Sequence, residues 1–205
     1  MKIIELFAGS CSFSNVAKEF KYETFTTDWQ DFKDIDLVAN ILDLEVEDFP
    51  FKPDIIWASP PCTTFSVASI GHHWKMDDQG NHIPKTKECL LGIEIVKKTK
   101  QLILDLDPKY FIIENPRGKL RKLDLLAEFK RDQVSYCKYG DKRMKPTDLW
   151  HNLENFDPKM CKNGTPNCHT PAPRGSSTGT QGLKGDYERS KVPEQLCREI
   201  LELCV

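Results

Sequence analysis

The sequence lacks any apolar run near the ~20 residues that a membrane-spanning helix needs, so no membrane partner is expected. It also lacks net charge: a balance of -2 over 205 residues excludes a polycation, and contact with nucleic acid has to come from local patches. The opening Met1-Lys2-Ile3-Ile4-Glu5-Leu6 has no signal-peptide layout and begins a strand directly, which predicts a cytoplasmic protein. Glycine is sparse where it would be diagnostic. The turn Ala8-Gly9-Ser10-Cys11-Ser12 holds one glycine where the dinucleotide fingerprint has three. Cysteine, by contrast, is plentiful, and eight of them in a cytosolic chain argue for reduced thiols, reactive or metal-bound, rather than a disulfide framework. The length suits one domain with a sizeable core and a small appendage.

Ile55-Ile56-Trp57-Ala58 reads as a strand buried on both faces. Pro60 and Pro61 cannot donate to a ladder and end it abruptly, and Cys62 follows at once. Strand carboxyl ends of an open α/β sheet face the ligand crevice, which puts Cys62 at the functional edge. A free cysteine is commonly a buried, inert thiol, so this stretch alone leaves both readings open.

Lys2 to Phe7 predicts a strand and Phe13 to Phe20 a helix, with the small-residue turn between them letting a ligand approach the backbone. A second strand, Glu23 to Thr27, ends in Asp28-Trp29. An acid ~20 positions past the turn suits a ribose hydroxyl, and Trp29 suits an adenine face; a loop acid beside a half-buried indole is the equal alternative. Asp36 to Ile41 and Asp54 to Ala58 are the third and fourth strands. Ser66 to Lys85 is polar and irregular, a lid leaving directly from Cys62. Its histidines are irregularly spaced and read as substrate contacts or solvated groups.

Thr86 to Asp107 has a helical apolar period. Tyr110 to Ile113 is a fifth buried strand and ends in Glu114-Asn115-Pro116-Arg117-Gly118, so Glu114 would share the crevice with Cys62. Such alternation implies an α/β, Rossmann-like, mostly parallel sheet with helices on both faces. Val134 to Tyr139 and Thr147 to His151 predict a closing antiparallel hairpin. Cys89, Cys197 and Cys204 read as core. The basic clusters at Lys97 to Lys100, Arg117 to Lys122 and Lys142 to Lys145 are solvated faces or phosphate contacts.

Asp157 to Gly185 has hardly an aliphatic residue and cannot build a core, so it wraps the domain or is stapled by metal. Cys161, Cys168 and His169, with Cys137 or His151 as a fourth, are ligand types suited to zinc; free surface thiols are the alternative.

Taken in order, these pieces resemble the cytosine-5 DNA methyltransferases over roughly residues 1 to 150 and the last ~20. Glu5-Leu6-Phe7-Ala8-Gly9 is similar to the family's first motif, which implies that Phe7, Ala8, Gly9 and Ser10 hold S-adenosylmethionine. Asp28-Trp29 falls where the family's acid meets the ribose, Asn40-Ile41 where its third motif lies, and Pro60 beside its Pro-Cys nucleophile motif. The resemblance implies that Cys62 adds to cytosine C6, that Glu114 acts at N3 and the exocyclic amine, and that Arg143 stands near the pyrimidine. Thr63 replaces the usual Gln, Pro116 the usual Val, and Asn40 an acid.

The resemblance further implies a catalytic unit of residues 1–155 and 186–205 with an appendage at 156–185. It implies DNA as substrate; zinc in the appendage is a reading of its Cys and His residues alone. The segment between Trp150 and Ser190 leaves no room for the family's large target-recognition domain, so specificity would be short or come from a protein partner. That is the pattern of a compact, phage-type member. A silent nucleic-acid-binding or decoy protein on the same fold, or the same chemistry on RNA or a nucleotide, are the rivals. An amino-methyltransferase fits less well, because Cys62 cannot stack on a base.

Overall fold

The structure is a computed structural model that describes residues 1–162, 164–171 and 186–205; the part of the expected appendage at 172–185 lies outside the described residues. A seven-stranded sheet runs in the order β3-β2-β1-β4-β7-β9-β8. Its strands are β1 (Lys2–Leu6), β2 (Glu23–Asp28), β3 (Leu37–Val38), β4 (Ile55–Ala58), β7 (Tyr110–Pro116), β8 (Lys130–Ser135) and β9 (Pro146–His151). A separate hairpin pairs β5 (Trp74–Met76) with β6 (His82–Pro84). The helices are α1 (Ser12–Glu19), α2 (Ile70–His73), α3 (Lys87–Leu106), α4 (Asp186–Ser190) and α5 (Glu194–Leu203).

Strands β3, β2, β1, β4 and β7 are mutually parallel, and β9 then runs antiparallel to both β7 and β8. The α/β, Rossmann-like reading therefore holds. Consecutive residues of each inner strand feed opposite cores, which is why the strands read as unbroken apolar runs. Ile3, Ile55, Trp57 and Ile112 pack with α1 and α5 on one face; Ile4, Ile56 and Ile113 pack with α3 on the other. Trp57 stacks on Phe13 with ring centroids 4.8 Å apart, tying β4 to α1.

Sheet order reverses between β1 and β4, so a crevice opens where their carboxyl ends diverge. The register sets Leu6 beside Ala58 and Ala58 beside Ile113. The Gly9 turn, the Pro60-Pro61-Cys62 loop and Glu114 all leave the sheet at this one edge.

Three local expectations change. The third strand shrinks to two residues because the Asn40 carboxamide oxygen accepts the Leu42 N–H (3.2 Å) and turns Ile41–Asp43 into a short 3-10 helix. The strand expected to reach Tyr139 stops at Ser135 and becomes a 3-10 turn over Tyr136–Tyr139, closed by Gly140 at φ +90°. Ser66 to Lys85 is a packed flap rather than an irregular loop. Trp74 is buried within it and donates its indole N–H to the Thr64 carbonyl (2.8 Å), while His73 Nδ1 meets the Thr86 hydroxyl at 2.7 Å.

Candidate active site

Beyond β4 the chain turns on itself, with the Phe65 and Ser66 N–H groups donating to the Cys62 carbonyl at 3.0 and 2.8 Å. Phe65 is fully buried and anchors the turn in the α3-side core. Outside groups hold the rest. Asn115 Nδ2 donates to the Pro60 carbonyl (2.8 Å), Ser69 donates to the Thr63 carbonyl, and the Lys119 N–H donates to the Phe65 carbonyl (2.6 Å). Gly118 sits so close that a Cβ there would overlap that same Phe65 oxygen. Cys62 is thus presented by a loop fixed at almost every carbonyl.

Glu114 and Asn115 alternate on β7 and split two tasks. Asn115 secures the Cys62 loop, whereas Glu114 is buried at the crevice with Tyr136 donating its hydroxyl to Oε1 at 2.8 Å. The Lys145 ammonium lies 3.8 Å from the same oxygen and 4.5 Å above the Tyr136 ring. Cys62 is partly exposed as a residue, yet burial of its thiol is the largest influence and pushes its pKa up; Lys145 pulls it down and Glu114 adds to the rise. Tyr136 was missed as a site residue in the sequence, and Lys145 was read there only as one of a basic cluster. The only signal was Lys145's place two residues past Arg143.

Arg143 itself is engaged elsewhere: its Nε and Nη2 grip Asp141, with Nη2 to Oδ2 at 2.5 Å, and Nη2 also reaches the Lys191 carbonyl at 3.3 Å. The structure brings Cys62, Glu114 and Lys145 together and sets Arg143 against the segment before α5.

Across the crevice, Phe7, Gly9 and Cys11 adopt positive φ of 57°, 48° and 52°, which folds the turn tightly over the start of α1. Cys11 offers that helix no side-chain cap. Glu5 of β1 does so instead, accepting the Phe13 and Ser14 N–H groups at 3.2 and 2.7 Å, and burial lifts its pKa to about 7. Asp28, at the end of β2, accepts the Gly9 N–H (3.0 Å) and the Gln30 N–H (2.9 Å) and is raised by burial. Trp29 beside it is 65% exposed, an indole face without cover. A carboxylate, an open aromatic face and a backbone turn without bulk form a donor set that fits an adenosyl group. Two clefts of about 300 and 400 Å³ border Lys191 and Val192, one lined by Ser10, Ser12 and Tyr187, the other by Gly140 and Arg143; neither includes Cys62.

The basic clusters are largely spent within the fold. Lys97, Lys98 and Lys100 pair with Glu94, Glu45 and Glu128, and Arg121 binds the buried Asp148 at 2.5 Å. Lys119 donates to His82 Nδ1 at 2.8 Å. Cys89, Cys197 and Cys204 are buried, in line with their reading as core. Cys137, Cys161, Cys168 and His169 come together, while His151 is committed to Asp132 (3.1 Å) and to the Leu153 N–H (3.0 Å). Thr165 heads the influences that lower the Cys161 thiol to about 7, whereas burial pushes Cys137 up to about 12.

A family model for the C-5 cytosine-specific DNA methylases matches residues 1–131, the stretch that carries the Gly9 turn, Cys62 and Glu114. The chain belongs to that family. As a member it is an enzyme of the DNA (cytosine-5)-methyltransferase class, for which S-adenosylmethionine is the expected methyl donor. A frog virus 3 (isolate Goorha) protein described as a probable DNA (cytosine-5)-methyltransferase is 30% identical over 222 residues, covering 100% of both chains. Among solved structures, an E. coli protein described as a putative DNA modification methyltransferase encoded within a prophage superposes with TM-score 0.50 at 16% identity. That match covers 79% of this methylase and 52% of the other chain, so the chain spans about half the length of that structure; the likeness concerns the fold. Among the described residues no helix is long and apolar enough to cross a membrane.

Proposed function

We propose that this methylase transfers a methyl group from S-adenosylmethionine to C5 of cytosine in DNA through a transient bond between Cys62 Sγ and cytosine C6. The observation that carries the reading is the convergence of a loop-fixed thiol, a buried carboxyl group and an ammonium: Cys62, Glu114 and Lys145. Cytosine C5 is a poor nucleophile until a thiolate adds at C6 and turns the ring into an enamine, which splits one hard step into easier ones. Cys62, its proton given up to water, forms the Sγ–C6 bond, and the nearby Lys145 charge favours the thiolate.

Glu114 Oε1 is engaged by Tyr136 and Lys145, which leaves Oε2 to act at N3 and the exocyclic amine as electrons move into the ring. C5 takes the methyl group, a base removes the C5 proton, and the re-forming double bond expels the Cys62 thiolate. S-adenosylmethionine supplies the electrophilic methyl when bound. Phe7, Ala8, Gly9, Ser10, Asp28, Trp29, Asn40, Ile41 and Pro60 are the residues that would hold it, with the open Trp29 face against adenine and Asp28 toward the ribose. A base in a duplex has to be flipped out to meet Cys62, and the flap that follows the Cys62 loop, tied to it by the Trp74 bond to the Thr64 carbonyl, is the segment that would cover it.

The test is incubation of the protein and methyl donor with oligonucleotides carrying 5-fluorocytosine, which blocks the last elimination. A covalent complex with DNA that is lost in Cys62→Ala is the expected result. An adduct with RNA alone would move the substrate, and no adduct on either would favour a silent nucleic-acid-binding protein.

A further inference from the structure

The described residues between Asp157 and Pro171 meet the end of β8 and the connection that follows it with almost no apolar side chain to hold them, and Met160, the one large apolar residue there, is exposed. What shapes them is a set of polar turns. The Thr165 N–H and hydroxyl both donate to the Lys162 carbonyl (3.2 and 2.7 Å), and Gly164 and Asn167 take φ of 84° and 56°. These turns bring Cys161 and Cys168 back to one point. Cys137, from the 3-10 turn after β8, and His169 complete the group. All four donor atoms lie within 4.8 Å of one another.

Two of the donor–donor distances match the edges of a coordination tetrahedron. Zinc bonds of about 2.3 Å to sulfur and about 2.0 Å to nitrogen put S···S edges near 3.8 Å and S···N edges near 3.5 Å. Cys161 Sγ lies 3.5 Å from Cys168 Sγ and 3.7 Å from His169 Nδ1. The sulfurs are not joined as a disulfide, and all eight cysteines are free thiols. Three thiolates and one imidazole in a tetrahedron select zinc over hard cations such as magnesium or calcium. The Gly164 N–H makes a long 3.4 Å contact to His169 Nε2, which metal at Nδ1 would release, since Nε2 then carries the ring proton.

We propose that Cys137, Cys161, Cys168 and His169 bind one zinc ion that staples Cys161, Cys168 and His169 to the 3-10 turn after β8. Four protein donors close the coordination sphere, so the ion is structural and leaves no position for substrate. Its anchor is well chosen: Cys137 follows Tyr136, the residue that donates to Glu114. The Cys161 N–H donates to the Ser135 hydroxyl (3.0 Å) and the Thr170 N–H to the Lys142 carbonyl (2.9 Å), so the staple also braces the loop that carries Lys145. The ion would take the part that hydrophobic burial plays elsewhere in the fold.

The full-length protein, purified under reducing conditions, should hold close to one zinc per chain by elemental analysis. Chelation should lower its melting temperature by several degrees. Titration of the metal-free protein with cobalt(II) should give thiolate-to-metal charge transfer and the intense visible bands of a tetrahedral site. Cys168→Ser should weaken cobalt binding at least tenfold, whereas Cys89→Ser, well apart from the cluster, should leave the spectrum unchanged. If the first variant does not fold, the wild-type titration still decides. Absence of stoichiometric zinc together with no tetrahedral cobalt spectrum would overturn the proposal, whether or not the protein methylates DNA.

Discussion

On the β1 side of the crevice, the turn from Phe7 to Cys11 takes three positive φ angles within five residues and is tied sideways to β2, the Ala8 N–H donating to the Thr27 carbonyl (3.0 Å) and the Gly9 N–H to Asp28 (3.0 Å). On the β4 side, the loop from Pro60 to Ser66 is held almost carbonyl by carbonyl from several elements: Ser69 and Trp74 in the flap just beyond it, and Asn115 and the backbone of Lys119 much farther along the chain. On the proposed mechanism the first wall meets a ligand whose shape is constant, so a strained turn tied to one neighbouring strand suffices. The second must aim one sulfur atom, and in such geometry an error near 1 Å costs about 10²-fold in rate. Anchoring from several elements gives that precision and makes Cys62 sensitive to distant substitutions.

The sharpest way to break this contrast is Gly118→Ala. Its new methyl group would collide with the Phe65 carbonyl and push the Cys62 loop out of place. Methyl transfer should fall on the order of 10²-fold with a stability loss of about 1–3 kcal/mol, while binding of the methyl donor, measured by calorimetry, stays near the wild-type value. Equal losses on both sides would deny that the walls are built independently.

Lys145→Met is next. It removes the positive charge that opposes burial at Cys62, so the thiol should ionise at higher pH. Alkylation of Cys62 by iodoacetamide, followed against pH, should shift toward alkaline values and slow by about tenfold near neutrality. An unmoved profile would remove Lys145 from the site.

The β1 wall is read through stability, with no change expected in the aim of Cys62. Glu5 titrates near 7 in the fold and near 4.5 when exposed, so between those values the folded chain holds the extra proton. Stability from this group is therefore greatest at low pH, declines as pH rises through that window and levels off above about 7. Urea midpoints from pH 5 to 8 should fall for the wild type relative to Glu5→Gln, by up to roughly 3 kcal/mol in stability. Parallel curves would show that Glu5 does not titrate there.

The same contrast explains what the sequence made legible. The β1 turn, Asp28, Cys62 and Glu114 are found at the strand ends where local patterning put them, because burial on both faces and proline leave short segments few options. Tyr136 and Lys145 were not legible. Their meeting with Glu114 depends on β9 pairing beside β7, a contact between elements far apart in the chain. The flap was read as irregular because its strands are three residues long and owe their place to Trp74 burial rather than to alternation. The third strand was overestimated because one carboxamide at Asn40 competes with the ladder.

The packing of α5 against α1 sets an order of events during synthesis. Phe13, Val16 and Ala17 share a core with Leu196, Cys197, Ile200 and Leu201, and the Val192 N–H donates to the Ser12 hydroxyl (3.1 Å) across 180 positions. A nascent chain that has emerged only to residue 155 holds all seven sheet strands yet leaves this face of the sheet open. Its α1 side stays sticky until α5 arrives, which makes that interval, rather than the finished enzyme, the stage most exposed to aggregation and most in need of a chaperone.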